Sequence, residues 1–267
     1  MSVLEIFIDG AGLWSPYAAR FDAFRHWLES GMIDAPETAR PPAERLPANE
    51  RRRAPEHVLL AIEAAGQAIG MSGYDAAELA CVFTSAHGDQ AITDYMCATL
   101  ADDPTALSPT RFHNSVHNAP AGYWTIATGC RAPSAAVCGH RASVGAGLLE
   151  AAMLTLADER PVLLVCSDIA GSGPIAEMTG STQSFGCAFV LSPRPGPHTL
   201  ARLVLHPTHG GERAPAGASV LPPDWSRANS TAADALPLLM LVAGHGRQHH
   251  LPAAAHMGLE IRREVLA

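Results

Sequence analysis

The N-terminal run VLEIFIDGAGL is apolar, rich in strand formers and closed by glycine, which predicts a strand. FDAFRHWLESG then sets apolar residues at helical steps and stops at Gly31, so a helix follows. APEHVLLAIEAAGQAIGM repeats apolar positions every three or four residues and ends near Gly70, the pattern of a buried helix, whereas ELACVFTSAHG reads as a central strand emptying into a glycine turn. DQAITDYMCATLADDP predicts a shorter helix halted by Pro104. After the turn TALSPTRFHNSVHNAP, AGYWTIATG predicts another short helix, rich in small residues.

A further helix is expected from roughly Ser143 to Leu156, and PVLLVCSDIAG has the unbroken apolar character of a strand buried on both faces. FGCAFVLSP and TLARLVLHP read as two more strands joined by the turn RPGPH. Past His206 the pattern thins: THGGERAPAGASVLPPDWSRANST is loop-like, ALPLLMLVAGHG is one more candidate strand, and MGLEIRREVLA is weakly helical or strand-like. DAPETARPPAERLPANERRR, dense in proline and charge, predicts an exposed loop long enough to cover part of the domain. Strands that alternate with helices and then pair without them point to an α/β class, a mixed layered sheet with helices on both faces. There is no internal repeat, and no stretch long enough to link independent domains.

Composition sharpens this in three ways. The 267 residues suffice for one large domain or two small ones, and 48% are hydrophobic while only 6% are aromatic, so the core must be packed closely from small side chains. The formal charge of -8, with Arg51–Arg53 as the only basic cluster, argues against nucleic acid as a partner. Six cysteines (Cys81, Cys97, Cys130, Cys138, Cys166 and Cys187) stand singly without a CxxC pair, as expected for free thiols in a reducing cytoplasm. The first residues read as a strand rather than a signal peptide, and no apolar run approaches a membrane span, so the expected location is the cytoplasm.

Several groups invite chemical readings. His113 and His117, four apart, would share a helical face as metal ligands, but Asn114 and Asn118 beside them point to capping and loop hydrogen bonds, and zinc wants further ligands at recognisable spacing. His245, His249 and His250 in HGRQHH read as a solvated turn, and no metal is expected. AHGDQ and HGG resemble phosphate turns only faintly, with no GxxxxGK[ST] and no GxGxxG after a strand. Ser85, Ser115 and Ser143 lack a GxSxG elbow, so a serine hydrolase is poorly supported. In APSAAVCGHRASVGAGLLEAA a run of small residues delivers Cys138 and His140 to a helix start. Cys138 is then either a small buried hydrophobe or a thiolate at a helix N-terminus, where the dipole favours an anion.

The segment SPTRFHNSVHNAPAGYWTIATG (Ser108 to Gly129), followed by the small-residue strand, the buried helix and VLLVCSD, resembles the N-terminal half of β-ketoacyl synthases, which have the thiolase fold. More closely, the chain from about Val3 to His206 is similar to short chain-length-factor-like proteins of bacterial aryl-polyene pigment pathways. The resemblance implies a thiolase-like layered fold. Its N-terminal half is essentially complete over 1–206, and its C-terminal half is truncated, with 207–267 a remnant that completes the same domain. Ketoacyl synthases combine a nucleophilic cysteine from the first half with two histidines from the second. Past His206 there is no HGTGT-like run and no NxFGFGG-like glycine turn, so the condensation machinery would be incomplete.

The same likeness sets the frame of the opening stretch. Placing Ser143 on the serine of the synthase pattern puts His140 at the nucleophile position and Cys138 two residues earlier, so no catalytic residue is expected, with His140 and Cys138 the candidates for that position. The implied role is a non-catalytic subunit that pairs as a heterodimer with a complete synthase, shapes its acyl tunnel and meets acyl carrier protein only through it, with no cofactor. Phe112, His113, Asn118, Tyr123, Trp124 and Ser143 are the implied tunnel or interface residues, the aromatic ones being ordinary core otherwise. The competing reading is a thiol-dependent acyltransferase or degenerate synthase that uses Cys138 with His140 or His113. A third is a homodimer that binds an acyl chain without turnover.

Overall fold

The computed structural model describes residues 3–32, 39–210 and 223–266. Among them, eight strands form one sheet: β1 (Leu4–Trp14), β2 (Ala80–Thr84), β3 (Ser134–Val137), β4 (Val162–Asp168), β5 (Phe185–Ser192), β6 (Ala201–His209), β7 (Gln248–Ala254) and β8 (Met257–Glu264). Their order is β3-β2-β4-β5-β1-β6-β8-β7, with β2 parallel to β3 and β4 and the remaining pairs antiparallel. The helices are α1 (Phe21–Ser30), α2 (Ala48–Arg53), α3 (Glu56–Ser72), α4 (Gln90–Asp102), α5 (Pro109–His113), α6 (Ala119–Thr128), α7 (Ser143–Ala157), α8 (Gly173–Thr179), α9 (Pro223–Ser226) and α10 (Ser230–Val242).

Small residues let helices press onto both faces of this sheet. On one face α3 lies across β1, β5 and β4. A Cβ built on Gly12 would stand 2.0 Å from the carbonyl oxygen of Ala64, and one on Gly10 would stand 2.1 Å from that of Ala68, so β1 admits the α3 backbone only because those positions are glycine. The other face packs on α7, with α1 and α10 beside it, and Phe24, Trp27 and Trp225 close the far end through edge and stacked ring contacts. α7 touches β2 and β4 on one side and β7 on the other. Those strands lie at opposite ends of the sheet order, so the sheet curls round the helix. All seven residues of β4 are buried, as expected of a strand covered on both faces.

The sequence pattern misplaces four segments. ALPLLMLVAGHG, expected as a strand, belongs to α10: Asn229 caps it by accepting from the backbone N–H of Ala232 at 2.8 Å, and nine of its thirteen residues are buried. A helix wrapped on most sides by core has no polar stripe, and Pro237 inside it further hides the helical pattern. HGRQHH is not a solvated turn, because Gln248, His249 and His250 begin β7, and both histidines are half-buried. β5 and β6, joined by RPGPH, do not pair with each other, since β1 lies between them. The proline-rich segment is not all loop: residues 48–53 form α2, and Ala43 and Leu46 are buried, with the Ala43 N–H held by Glu63 of α3 at 2.8 Å. Its residues 34–38 lie outside the described residues, as do 211–222 of the loop expected beyond His206.

The grip on α7 is testable. A Cβ on Gly145 would stand 2.1 Å from the carbonyl oxygen of Pro252 in β7, so Gly145→Ala should lower stability by about 3 kcal/mol, the upper end of overpacking costs. Gly122→Ala, at a position in α6 with open space around it, should instead gain roughly 0.5–1 kcal/mol. Urea unfolding midpoints measure both. A Gly145→Ala protein that unfolds at the wild-type midpoint would contradict the close approach.

Candidate functional site

β3 ends at Val137, and the chain then bends through a 3₁₀ turn over His140–Ala142 into α7. His140 holds φ at +52°, a left-handed conformation that non-glycine residues seldom adopt. Ser143 fixes the bend from inside: its Oγ accepts from the N–H of Gly139 at 3.0 Å and shares its proton between the carbonyls of His140 at 2.7 Å and Ser85 at 3.1 Å. Thr84 at the end of β2 donates to the Ser143 carbonyl at 3.0 Å. Ser143 is therefore a buried strut of the elbow rather than a residue lining a surface.

Behind the elbow sits Asp168, fully buried at the end of β4. It accepts from Ser85 Oγ at 2.7 Å, from the backbone N–H groups of Ala86 at 3.0 Å and His87 at 3.2 Å, and from Thr231 Oγ1 at the start of α10. One carboxylate thus ties the loop after β2 to the C-terminal helix and holds the three residues that meet the elbow. Ser85 takes the Ser143 proton, the Ala86 carbonyl accepts from Cys138 Sγ at 3.6 Å, and the His87 ring stands edge-on to His140 with centroids 5.5 Å apart. Sequence reasoning missed Asp168, His87 and His57. The available signal was an acidic residue closing an apolar strand at the same sheet end as Ser85 to Gly88, since buried carboxylates persist only where donors converge on them.

The imidazoles around this carboxylate differ in setting. His57 in α3 is almost completely buried, and burial depresses its pKa to about 4, with Asp168 opposing the shift and His117 adding to it. His87 is half-buried and also lowered, first by burial and then by the positive charges of His140, Arg141 and His117, against the pull of Asp168. The ring of His117 lies against Gly88.

Cys138 is exposed, contrary to the reading of it as a buried hydrophobe, and so is Cys97, while Cys81, Cys130, Cys166 and Cys187 are buried free thiols. Burial raises Cys81 to about 11, and the neighbouring Cys187 together with burial raises Cys166, so neither thiol is set up to react. Among the described residues no three His, Cys, Asp or Glu side chains converge to hold a metal ion.

The implied interface residues separate. His113, Asn118 and Tyr123 line one groove of about 430 Å³ with Leu46, Val116 and Ile126. Phe112 is 56% exposed beside it, and Val116 and Ile126 are 49% and 85% exposed. Trp124 is fully buried in the core under α3. Asn114, not Asn118, makes the side-chain bond here, accepting from Tyr123 Oη at 3.3 Å. β3 is the edge strand bordering this region and contacts α6.

A family model described as the N-terminal domain of β-ketoacyl synthase matches residues 24–234, running past His206 into α10. Among solved structures, the chain is similar to a ketosynthase (ApeO) in complex with its chain length factor (ApeC) from Xenorhabdus doucetiae, at 23% identity and a TM-score of 0.72 over 97% of this chain and 100% of that one. It is also similar to the ishigamide ketosynthase/chain length factor, at 14% identity and a TM-score of 0.69 over 98% and 100%. A type II polyketide synthase acyl-carrier protein in complex with its ketosynthase, AntDE:AntF, gives 14% identity and a TM-score of 0.71 over 98% and 99%. At these identities the likenesses establish the fold, a thiolase-like ketosynthase fold. No curated protein sequence matches the chain.

The burial of His57 sets an acid limit. Above pH 6.5 the imidazole is neutral in both folded and unfolded chains, and its contribution is complete. As pH falls from 6.5 to about 4, the unfolded chain takes up a proton that the folded chain refuses, so on the order of 3 kcal/mol of stability is lost across that window. Urea unfolding at a series of pH values should show this slope, and His57→Leu should flatten it while lowering stability at pH 7. An unchanged slope in the variant would contradict the assignment.

Proposed function

Because the chain belongs to the β-ketoacyl synthase N-terminal-domain family, we propose that it is a non-catalytic, chain-length-factor-like subunit that pairs with a complete ketoacyl synthase and shapes the acyl tunnel of that partner. The observation that supports this reading most is the apolar surface on one segment of the chain: Phe112, Val116 and Ile126 stand out beside the groove lined by Tyr123 and Leu46, next to the edge strand β3. An apolar patch of this kind beside an unpaired strand edge calls for a partner surface. The elbow adds a chemical argument. With His140 rather than a cysteine at its bend, and Ser143 and Asp168 engaged in holding the loops around it, the elbow offers no activated nucleophile, and no HGTGT-like or NxFGFGG-like run follows His206.

Residues 1–206 carry the synthase-like half in this reading, and 207–267 stand in place of the second half, supplying α10, β7 and β8 to the same core and sheet. The subunit acts by volume rather than by chemistry and needs no cofactor. Acyl carrier protein, which one structurally similar complex contains, reaches it through the synthase, because a chain of net charge -8 suits an acidic carrier poorly. Aryl-polyene or related polyketide synthesis in the cytoplasm is the setting this reading favours. No helix among the described residues is long and apolar enough to cross a membrane.

Co-expression with its cognate ketosynthase should yield a one-to-one complex on size-exclusion chromatography. Ile126→Glu, which places a charge on the most exposed apolar side chain of the surface, should weaken association at least about tenfold, as expected for charging an interface anchor. A monomeric chain that never co-purifies would overturn the reading, and so would an Ile126→Glu protein that assembles as well as wild type.

A further inference from the structure

His140 and Arg141 line a cavity of about 390 Å³ together with Gly139, Ala142, Pro252 and Ala254, where the elbow faces the end of β7. Both side chains are exposed, and among the described residues neither has an acidic partner. His87 stands edge-on to His140, with ring centroids 5.5 Å apart. The acidic group that faces these imidazoles is Asp168, and both of its oxygens are already taken by Ser85, Ala86, His87 and Thr231. Cys138 next to the bend is turned to the Ala86 carbonyl. The pocket therefore presents one guanidinium and one imidazole, with no acidic side chain among its lining residues.

We infer that this pocket is a binding site for a short aliphatic carboxylate. A planar guanidinium beside an imidazole matches a carboxylate, with charge-assisted hydrogen bonds from both. The other walls, from Pro252, Ala142 and Ala254, present no polar side chain and suit a short hydrocarbon tail. The inference needs no second subunit and goes beyond the proposed role of the chain.

Butyrate titrated into the full-length chain alone, with the imidazole protons of His140 and His87 followed by NMR, tests it. Saturable shifts at the His140 ring, which lines the pocket, and at the His87 ring edge-on to it are expected. Arg141→Gln should weaken binding at least about tenfold while leaving the unfolding midpoint unchanged, because Arg141 is exposed. If that variant is destabilised, His140→Gln serves the same purpose. Shifts equal to those from chloride at matched ionic strength would overturn the inference. So would binding indifferent to both substitutions, or inorganic phosphate saturating the rings at lower concentration than butyrate.

Discussion

The structure depends on how closely α7 is held. Its N-terminal turns sit between β2 and β4 on one side and β7 on the other, and glycine permits both approaches: Gly145 faces the Pro252 backbone, and Gly147 faces the Thr84 side chain, which a Cβ would meet at 2.8 Å. A helix gripped in this way cannot slide or rotate without a clash on one side. The curl of the sheet follows, since β7 can reach α7 only if the strands beyond β1 bend round it. β7 and α10 thereby cover apolar surface of α7 from within the same chain.

The elbow inherits its geometry from that helix. Ser143, the first residue of α7, binds both the residues before it and the loop after β2, and Asp168 binds the same loop from behind. Buried polar networks of this kind specify one arrangement at the cost of needing every member satisfied. The resulting bend presents His140, with Cys138 aside against a backbone carbonyl. This arrangement supports a family site kept for its shape, in a chain that exposes Phe112, Val116 and Ile126 on the neighbouring α5–α6 segment.

Much of this was legible in the sequence. The strand character of β1, the end of α1 at Gly31 and the approximate span of α7 were legible, although β1 runs on through Gly10 and Gly12 to Trp14, and the excess of alanine over aromatic residues anticipated the close helix–sheet contacts seen at those two glycines. α10 was not legible, because burial on most sides removed the polar stripe that distinguishes a helix from a strand. His249 and His250 looked like surface loop residues, yet cross-strand pairing with β8 places them in a strand, a long-range contact that local pattern does not encode. Within the site, Cys138 and His140 drew attention as reactive residue types. The residues that organise it, Asp168 and Ser143, act through backbone groups far away in sequence, and no short motif announces such contacts.

The central claim is that the elbow serves shape and partner contact rather than thiol chemistry. Intact-protein mass spectrometry tests it most directly, after an acyl thioester is supplied to the chain alone and to its complex with the synthase. The account predicts an acyl adduct on the synthase and none on this chain in either sample. An adduct mapped to Cys138 would contradict it.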